Sequence, residues 1–418
     1  MKSPLARWIV GKKTRSAIAP VPSKNWSTLL AAEDWQAGGF GLYIHWPFCL
    51  SKCPYCDFNS HVAESVDRLR WERAFLTEID RIGAKTPVRT LNSIFFGGGT
   101  PSLMDPDLVR AIIQRARATW ISVNDLEVTL EANPTSVEAG RFSAYRDAGV
   151  TRVSLGIQAL RDADLRRLGR LHSSAEARAA FDIARDRFSR VSFDLIYGRQ
   201  DQTLQDWHRE LSEALAMAAD HLSLYQLTIE PGTAFGDRLA SGRLHGLPDE
   251  DTGADLYELT QALCERAGLP AYEISNHARP GAESRHNLIY WRYGDYAGIG
   301  PGAHGRMSLH GRRFATEALS RPDAWLEAVE TRGSGERPPA PLSTRDQAEE
   351  YLMMGLRLRD GISLARYEAF LGSEISSFKI NGLADLGLIE AASGRLFATP
   401  AGRAVLNGII RELLPETD

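Results

Sequence analysis

Three of the four cysteines lie within eight positions, at Cys49, Cys53 and Cys56. Crowded thiolates in a chain with too few cysteines for a disulfide scaffold indicate a metal centre. Three thiolates leave one iron of a [4Fe–4S] cluster without a protein ligand, so that a small molecule can chelate it. A zinc ion with His45 or His61 as fourth ligand is the alternative, although structural zinc sites usually use two separated ligand pairs. Three unrelated core cysteines are the third alternative.

Two further features could bind a small ligand. The run Phe-Gly-Gly-Gly-Thr-Pro at 96–101 follows a candidate strand and lacks the Gly-Lys-Ser/Thr ending of a phosphate loop, so it is either a ligand-contacting loop or only a turn. Three candidate strands each place polar or small residues on one face, which carries Glu131, Gln158 and Asp194. Such carboxylates and amides can bond hydroxyl and ammonium groups, although ordinary polar residues at strand ends are the simpler alternative.

The elements that must position these residues alternate between strand and helix. Candidate strands are 42–46, 93–96, 126–131, 152–157, 191–197 and 222–229, and candidate helices include 64–83, 105–118, 136–148, 174–188 and 204–218. The alternation predicts right-handed βαβ units and a parallel sheet. The polar strand faces favour an α/β fold with a partial, TIM-like (β/α)6 barrel, whose sites gather at the carboxyl ends of the strands. A doubly wound open sheet is the alternative.

The composition is that of an ordinary globular protein. The 418 residues include 49 basic and 53 acidic side chains, which give a formal charge of −4 and no reason to expect nucleic acid as a partner. No apolar run approaches the ~18 residues of a membrane span. Residues 1–30 carry six basic residues and no acid, which is typical of either a transit peptide or a poorly ordered arm. The lone Cys264 is predicted to be a core residue.

The chain beyond the barrel pattern divides at a linker. A helix at 251–267 and a short strand at 272–275 are predicted, and residues 332–343 are rich in glycine and proline. The segment after the linker is predicted to form helices and one hairpin, which is typical of a small winged-helix-like domain. It has more acidic than basic residues. We therefore expect an N-terminal arm at 1–40, the barrel and its following region at 41–305, a connector at 306–343 and a mainly helical domain at 344–418.

The Cys-x3-Cys-x2-Cys motif, with Tyr55 before its third cysteine and a β/α pattern behind it, resembles that of the radical S-adenosylmethionine superfamily. In that superfamily, the open iron of a [4Fe–4S] cluster binds the amino and carboxylate groups of S-adenosylmethionine, which the cluster then cleaves reductively. The resemblance implies that Cys49, Cys53 and Cys56 hold the cluster. It also implies that the glycine run holds the methionine amino group.

A narrower resemblance covers residues 41–410. The segments 41–49 (GLYIHWPFC), 96–101, 131–134 (EANP), 154–158 (SLGIQ) and 194–198 (DLIYG), together with Arg170, resemble those of the coproporphyrinogen dehydrogenase (HemN-like) group, whose C-terminal domain would correspond to 344–418. The resemblance implies that S-adenosylmethionine is contacted by Tyr43, Gly98, Gly99, Thr100, Glu131, Gln158, Arg170 and Asp194. His304 is expected near the nucleoside on a looser alignment.

Two features separate a decarboxylase from a heme carrier within that group. The decarboxylase has a fourth cysteine two positions after the third, where this chain has Phe58. The motif His-Asn-x-x-Tyr-Trp at 286–291 resembles that of the heme-chaperone branch, and this implies heme binding by His286, Asn287, Tyr290 and Trp291. Imidazole is a common axial ligand of heme iron, although a hydrogen-bonded core histidine beside aromatic rings is the alternative.

These observations predict a cytoplasmic protein of the radical S-adenosylmethionine fold that binds heme near the barrel mouth and transfers it to an unidentified acceptor protein, including a transient acceptor at the membrane. An oxygen-independent coproporphyrinogen III dehydrogenase is the alternative, and a zinc-stabilised binding module is the third. The radical S-adenosylmethionine fold is compatible with an enzyme, but the motifs favour a heme chaperone over a coproporphyrinogen dehydrogenase.

Overall fold

The computed structural model describes residues 34–63 and 66–415, so the basic segment 1–30 lies outside the described residues. The strands are β1 Phe40–Trp46, β2 Phe48–Cys49, β3 His61–Val62, β4 Thr90–Gly98, β5 Ile121–Ala132, β6 Arg152–Gln158, β7 Arg190–Tyr197, β8 His221–Gln226, β9 Asn276–Ala278, β10 Asp295–Ile299, β11 His304–Leu309, β12 Arg312–Glu317, β13 Ala340–Pro341, β14 Ile362–Ser363, β15 Ile389–Ala392 and β16 Arg395–Ala398.

The helices lie between these strands and in the C-terminal part of the chain. They are α1 Arg68–Lys85, α2 Pro106–Thr119, α3 Ser136–Ala139, α4 Phe142–Ala148, α5 Asp162–Arg167, α6 Ser174–Arg187, α7 Leu204–Met217, α8 Ala234–Ala240, α9 Glu250–Arg266, α10 Arg285–Trp291, α11 Pro322–Arg332, α12 Thr344–Gly355, α13 Leu364–Leu371, α14 Ser377–Asp385, α15 Pro400–Ala404 and α16 Leu406–Leu413. Among the described residues, no helix is both long and apolar enough to span a bilayer.

The main sheet follows the order β13-β12-β11-β10-β1-β4-β5-β6-β7-β8-β9. The run from β1 to β8 is parallel, and neighbouring strands follow chain order, as in one side of a barrel. A doubly wound sheet would reverse that order in the middle, so this alternative is wrong. The six predicted parallel strands are confirmed, and β10 adds a seventh beside β1. Its sequence of five residues, which includes Gly298, carries too weak an alternation to be predicted.

The helices cover the outer face of this sheet because their apolar residues recur on one face, and capping residues fix where the helices begin. In α1, Trp71, Phe75 and Ile79 recur at four-residue spacing and are buried, while Asp67 caps the helix by accepting a hydrogen bond from the Arg70 backbone N–H at 3.1 Å. The apolar halves of the strands meet these helices, so the polar halves are left facing the barrel interior.

Two predicted elements differ from the structure. Residues 272–275 form bends and not the predicted strand, because the Glu273 carboxylate accepts bonds from the side chains of Ser275 and Asn276 and holds a local turn. The strand β9 begins only at Asn276. The predicted helix 136–148 is split into α3 and α4 around Gly140, because glycine is a poor helix former.

The segment 306–343 adds β11, β12 and β13 to the edge of the main sheet and packs α11 against α1. The C-terminal part forms a separate apolar core with a three-stranded sheet in the order β14-β16-β15, consistent with the predicted winged-helix-like arrangement. A buried ion pair joins the two parts, with Arg306 Nη2 2.9 Å from Glu350 Oε1. The hydroxyl of Tyr293 donates to the same carboxylate at 2.8 Å.

Candidate functional site at the carboxyl ends of the barrel strands

The cysteine loop leaves β2 and lies across the carboxyl ends of the parallel strands. Cys49 ends β2, which pairs with β3 and closes the loop into a short ribbon. The Cys56 backbone N–H donates to the Cys53 carbonyl at 3.1 Å. All three thiols line one cavity of about 260 Å³, and burial raises the pKa of Cys49, partly offset by a hydrogen bond from Thr100.

The two histidines of the zinc alternative are engaged elsewhere. His45 Nδ1 lies 3.0 Å from the Tyr43 hydroxyl and His45 Nε2 lies 2.9 Å from the Asn59 carbonyl oxygen. His61 Nε2 lies 3.3 Å from Asn59 Oδ1. Within residues 34–63 and 66–415, no three His, Cys, Asp or Glu side chains are arranged to hold a single metal ion. Three thiolates that each bind a different iron need no such convergence, so the donor set fits an iron–sulfur cluster.

The glycine run packs directly against this loop. Gly98 has a φ of +110°, and a Cβ there would lie 2.6 Å from the His45 ring. A Cβ at Gly99 would lie 2.7 Å from the Phe48 carbonyl oxygen. The next residue, Thr100, donates from its hydroxyl to Cys49 Sγ at 3.4 Å. The run therefore brings bare backbone to the cavity wall, where a ligand can approach it closely.

The polar strand face supplies the opposite wall. Glu131, Gln158 and Asp194 all line the cavity, as their alternation along β5, β6 and β7 predicts. Burial, with a further contribution from the Asp194 charge, raises the pKa of Glu131 to about 7. Burial also raises the pKa of Asp194, which accepts a hydrogen bond from the Ser154 hydroxyl at 3.3 Å.

Gln158, the last residue of β6, has a left-handed backbone conformation. Its φ is +71°, unusual for a residue other than glycine, at an irregularity in the β6–β7 pairing. Its side-chain Oε1 is buried and has no hydrogen-bond partner among the described residues. A buried unpaired acceptor beside a cavity is the expected state of a group that a ligand completes.

Arg170 lies on one side of the cavity and donates hydrogen bonds to three segments of its wall. Its Nη1 donates to Cys53 Sγ at 3.4 Å, and its Nη2 donates to Asn133 Oδ1 at 2.5 Å and to the Gly156 carbonyl at 2.9 Å. The guanidinium thus joins the cysteine loop to the segments that end β5 and β6. It also places a positive charge beside the predicted cluster ligands.

The structure adds three residues to this site and sets two predicted residues apart from it. Asn133, Ser154 and Tyr225 line the cavity without having been predicted. Asn133 directly follows β5 and Ser154 shares the polar face of β6, so the strand pattern could have indicated both. Tyr43 is outside the described cavity lining and lies one layer deeper, bonded to His45. His304, which begins β11, does not line the cavity either.

The histidine of the 286–291 motif lies inside the barrel, below the cavity and toward the amino-terminal ends of the strands. His286 Nδ1 lies 2.7 Å from the hydroxyl of Ser93, in the amino-terminal half of β4, and the His286 backbone N–H donates to Glu127 Oε1 at 3.2 Å. The expected position near the barrel mouth is therefore wrong. The reason is that α10 packs into the barrel beside the first residues of β1 and β4, several residues before the carboxyl ends of these strands.

The imidazole of His286 is also fully enclosed. It is 1% exposed and stacks on Phe95 with ring centres 5.0 Å apart. Its Nε2 lies 2.8 Å from the hydroxyl of Tyr290, so both ring nitrogens have partners. Burial lowers its pKa to about 3, which keeps the ring neutral. This is the geometry of a hydrogen-bonded core histidine, and an iron would have to displace a partner.

The remaining motif residues face other surroundings. Asn287 lies in the first turn of α10, where its backbone N–H donates to Oγ of the capping residue Ser284 at 3.4 Å, and its Nδ2 lies 3.5 Å from the Tyr272 hydroxyl. Trp291 ends α10 and lines a large groove between the barrel and the C-terminal part. Phe58, at the position of the missing fourth cysteine, lines the cysteine cavity.

A partial parallel barrel with three cysteines and a glycine cradle at its carboxyl end defines the class of radical S-adenosylmethionine proteins. Residues 43–214 match the family model described as the radical SAM superfamily, and residues 342–405 match that of the HemN C-terminal domain. The fold is shared with the coproporphyrinogen III oxidase HemN from Escherichia coli, at a TM-score of 0.75 and 20% identity over 94% of this chain and 93% of that one.

The relatives define the family more narrowly. The chain is 36% identical over 380 residues to "Heme chaperone HemW" of Escherichia coli (strain K12), covering 90% of this chain and 98% of that protein. It is 38% identical over 384 residues to "Radical S-adenosyl methionine domain-containing protein 1, mitochondrial" of Bos taurus, covering 89% and 87%. The chain belongs to the radical SAM superfamily and, within it, to the family that contains these proteins.

Proposed function

We propose that this protein is a heme chaperone that binds a [4Fe–4S] cluster, S-adenosylmethionine and heme, and transfers heme to an acceptor protein. The observation that carries the choice against a decarboxylase is Phe58, which places a phenyl ring in the cavity wall where the dehydrogenase would have its fourth cysteine. The similarity to proteins named heme chaperones along most of the chain supports the same choice.

The cavity residues divide between the two cofactors. Cys49, Cys53 and Cys56 would hold the cluster, with Arg170 donating to one thiolate. The S-adenosylmethionine would be held by the backbone of Gly98, Gly99 and Thr100 on one wall and by Glu131, Gln158 and Asp194 on the other, with Tyr43 supporting the glycine wall from beneath through His45. When bound, the cluster supplies an electron to the sulfonium of S-adenosylmethionine.

The chain's own groups fit the parts of that ligand. Partly buried carboxylates favour its ammonium group, and a ribose hydroxyl can donate to the unpaired Oε1 of Gln158. The buried and neutral His286 does not enter these contacts. We assign it to the heme function together with Asn287, Tyr290 and Trp291, which lie on the same helix α10.

The acceptor and location are part of the same proposal. An unidentified acceptor protein, including one at the membrane, would take the heme, and the chaperone itself would be cytoplasmic. Cell fractionation with an antibody against the chain tests the location. Recovery in an organelle fraction would contradict the cytoplasmic location. The bovine relative is named as a mitochondrial protein, so the organelle fractions should include mitochondria.

The decisive experiment compares turnover with binding. Anaerobically reconstituted protein is given coproporphyrinogen III, S-adenosylmethionine and a reductant, and the same preparation is titrated with hemin. We expect saturable heme binding and no protoporphyrinogen IX. Formation of protoporphyrinogen IX would identify the dehydrogenase, and a preparation that retains zinc but no iron or sulfide would support the binding module.

A further inference from the structure

A groove of about 1,670 Å³ separates the barrel from the C-terminal part and shares no lining residue with the cysteine cavity. We call it the interdomain groove. Its walls come from α9, the end of α10, α12 and the small sheet with α15, and its aromatic residues are Tyr257, Trp291, Tyr351 and Phe397. The volume exceeds the range of roughly 300–1,000 Å³ that is usual for small-molecule sites, so the groove has room for a large ligand.

The helix α10 connects this groove to the barrel interior. Its residues His286 and Tyr290 are four positions apart, share one helix face and are bonded to each other inside the barrel. Trp291 is five positions from His286, about 140° around the helix, and faces the groove instead. One short helix therefore has a polar face closed inside the barrel and an aromatic end in an open groove.

Neither of the other places for a tetrapyrrole is open. The cysteine cavity holds about 260 Å³ and is lined by the residues that fit the cluster and S-adenosylmethionine. The barrel interior beside His286 is filled by the packed rings of Phe95, Tyr43 and Tyr290, with centres 5.0, 6.4 and 4.8 Å from the imidazole. Of the motif side chains, Trp291 is the one that lines the groove.

The charges on the groove suit a ligand with carboxylates. Arg366 is occupied by Asp34 at 2.6 Å, and Arg359 lies 3.9 Å from Glu265. Arg395 donates to backbone carbonyls, from Nε to Asp360 at 2.8 Å and from Nη2 to Gly361 at 2.9 Å.

A second guanidinium, that of Arg403, belongs to a residue on the same wall and acts electrostatically on the buried Glu273 and His277. Its Nη2 is buried and has no hydrogen-bond partner among the described residues. Guanidinium groups bind carboxylates through paired hydrogen bonds, and these two come from the small sheet and the adjacent α15. Glu390 lies on that wall as well and would oppose an anionic ligand.

We propose that heme binds in the interdomain groove, with its ring against Trp291 and its propionates on Arg395 and Arg403, and that His286 is a positioning residue that holds α10. The inference rests on the proposed heme function and goes beyond it by locating the site. Because the groove is formed by two parts of the chain, a small change in their separation would expose the ring to an acceptor.

The test is a heme titration of the full-length, cluster-loaded protein by absorbance. The variant combines Arg395→Gln with Arg403→Gln, and its matched control combines Arg117→Gln with Arg187→Gln on exposed faces of α2 and α6. We expect the Kd for heme to rise about tenfold or more in the groove variant, since each tenfold corresponds to about 1.4 kcal/mol. Binding of S-adenosylmethionine should be unchanged in both, and Glu390→Gln should tighten heme binding.

A second measurement locates the ligand without substitutions. Hydrogen exchange with and without heme should show protection in the segments 351–363 and 395–404, and none at 127–158. Protection at 127–158 alone, or wild-type heme affinity in the folded groove variant, would overturn the groove assignment while leaving the chaperone function intact. A wild-type protein that binds no heme would overturn the function and the groove together.

The role of His286 has its own readout. In His286→Gln the side chain can still bond Ser93 or Tyr290, so we expect weaker heme binding with unchanged electron paramagnetic resonance of the ferric heme. An altered axial-ligand spectrum would show that His286 binds the iron directly and would overturn the positioning role.

Discussion

The guanidinium of Arg170 donates to Cys53 Sγ at 3.4 Å and to Asn133 Oδ1 at 2.5 Å with different nitrogens of the same side chain. A lysine has one charged nitrogen and cannot span both acceptors. We expect Arg170→Lys to lose the iron–sulfur absorbance in air several-fold faster than wild type and to weaken S-adenosylmethionine binding about tenfold. Arg167→Lys, on the exposed side of the same segment, is the matched control. Equal decay rates in the two variants would contradict this role.

Gly98 combines a left-handed φ with a close contact. We expect Gly98→Ala to abolish S-adenosylmethionine binding and to lower the free energy of unfolding by about 2–4 kcal/mol, because its Cβ would lie 2.6 Å from the His45 ring. Gly242→Ala carries a similar backbone penalty, at φ +67°, with nothing within 4 Å. That control should lose only about 1 kcal/mol and bind normally, as denaturant titration and calorimetry would show.

Glu131 should make the free energy of unfolding fall as pH rises, the opposite of what a salt-bridged carboxylate does. Its pKa is raised from 4.5 to about 7, so the folded protein retains a proton that the unfolded chain has already lost. The free energy of unfolding contributed by this group therefore falls as pH rises between those values. Above pH 7, Glu131→Gln should be more stable than wild type by about 1–2 kcal/mol in the absence of ligands.

The same carboxyl should release its proton when the ligand binds. S-adenosylmethionine carries positive charge, which favours the ionised carboxylate. We expect its affinity for wild type to increase between pH 5 and pH 7, and calorimetry in buffers of different ionisation enthalpy should detect proton release. Identical pH profiles for wild type and Glu131→Gln would show that another group controls binding.

Asn59 anchors the end of the cysteine loop to a distant part of the chain. Its Nδ2 donates to the Pro301 carbonyl at 2.9 Å and to the Ser320 carbonyl at 2.8 Å. Asn59→Ala should lower the free energy of unfolding by about 1–3 kcal/mol and reduce the iron content after reconstitution. Asn407→Ala, exposed on α16, should change neither quantity. Full iron retention in Asn59→Ala would show that the loop holds its shape without this anchor.

Much of the barrel was predictable because its signals are local. The six strands and their helices follow from alternation and capping, and the polar faces of β5, β6 and β7 correctly placed Glu131, Gln158 and Asp194 on one wall. The cysteine spacing likewise located the thiols of the cavity. In contrast, β10 depends on pairing with the distant β1, and the turn at Glu273 depends on side-chain hydrogen bonds from Ser275 and Asn276 that the apolar alternation does not reveal.

The sequence determined the chemistry available to this protein, because residue type and spacing along the chain set which donors can share one loop or one strand face. It could not determine where His286 lies, since the sequence pattern of a histidine in a short helix is the same whether the side chain faces a cavity or a packed core. Only the folded chain decided that α10 packs into the barrel, bonds both nitrogens of His286 and turns Trp291 toward the interdomain groove. The hydrogen bond between Ser93 and His286 alone joins residues 193 positions apart, and packing of the whole molecule, more than local preference, selects such contacts.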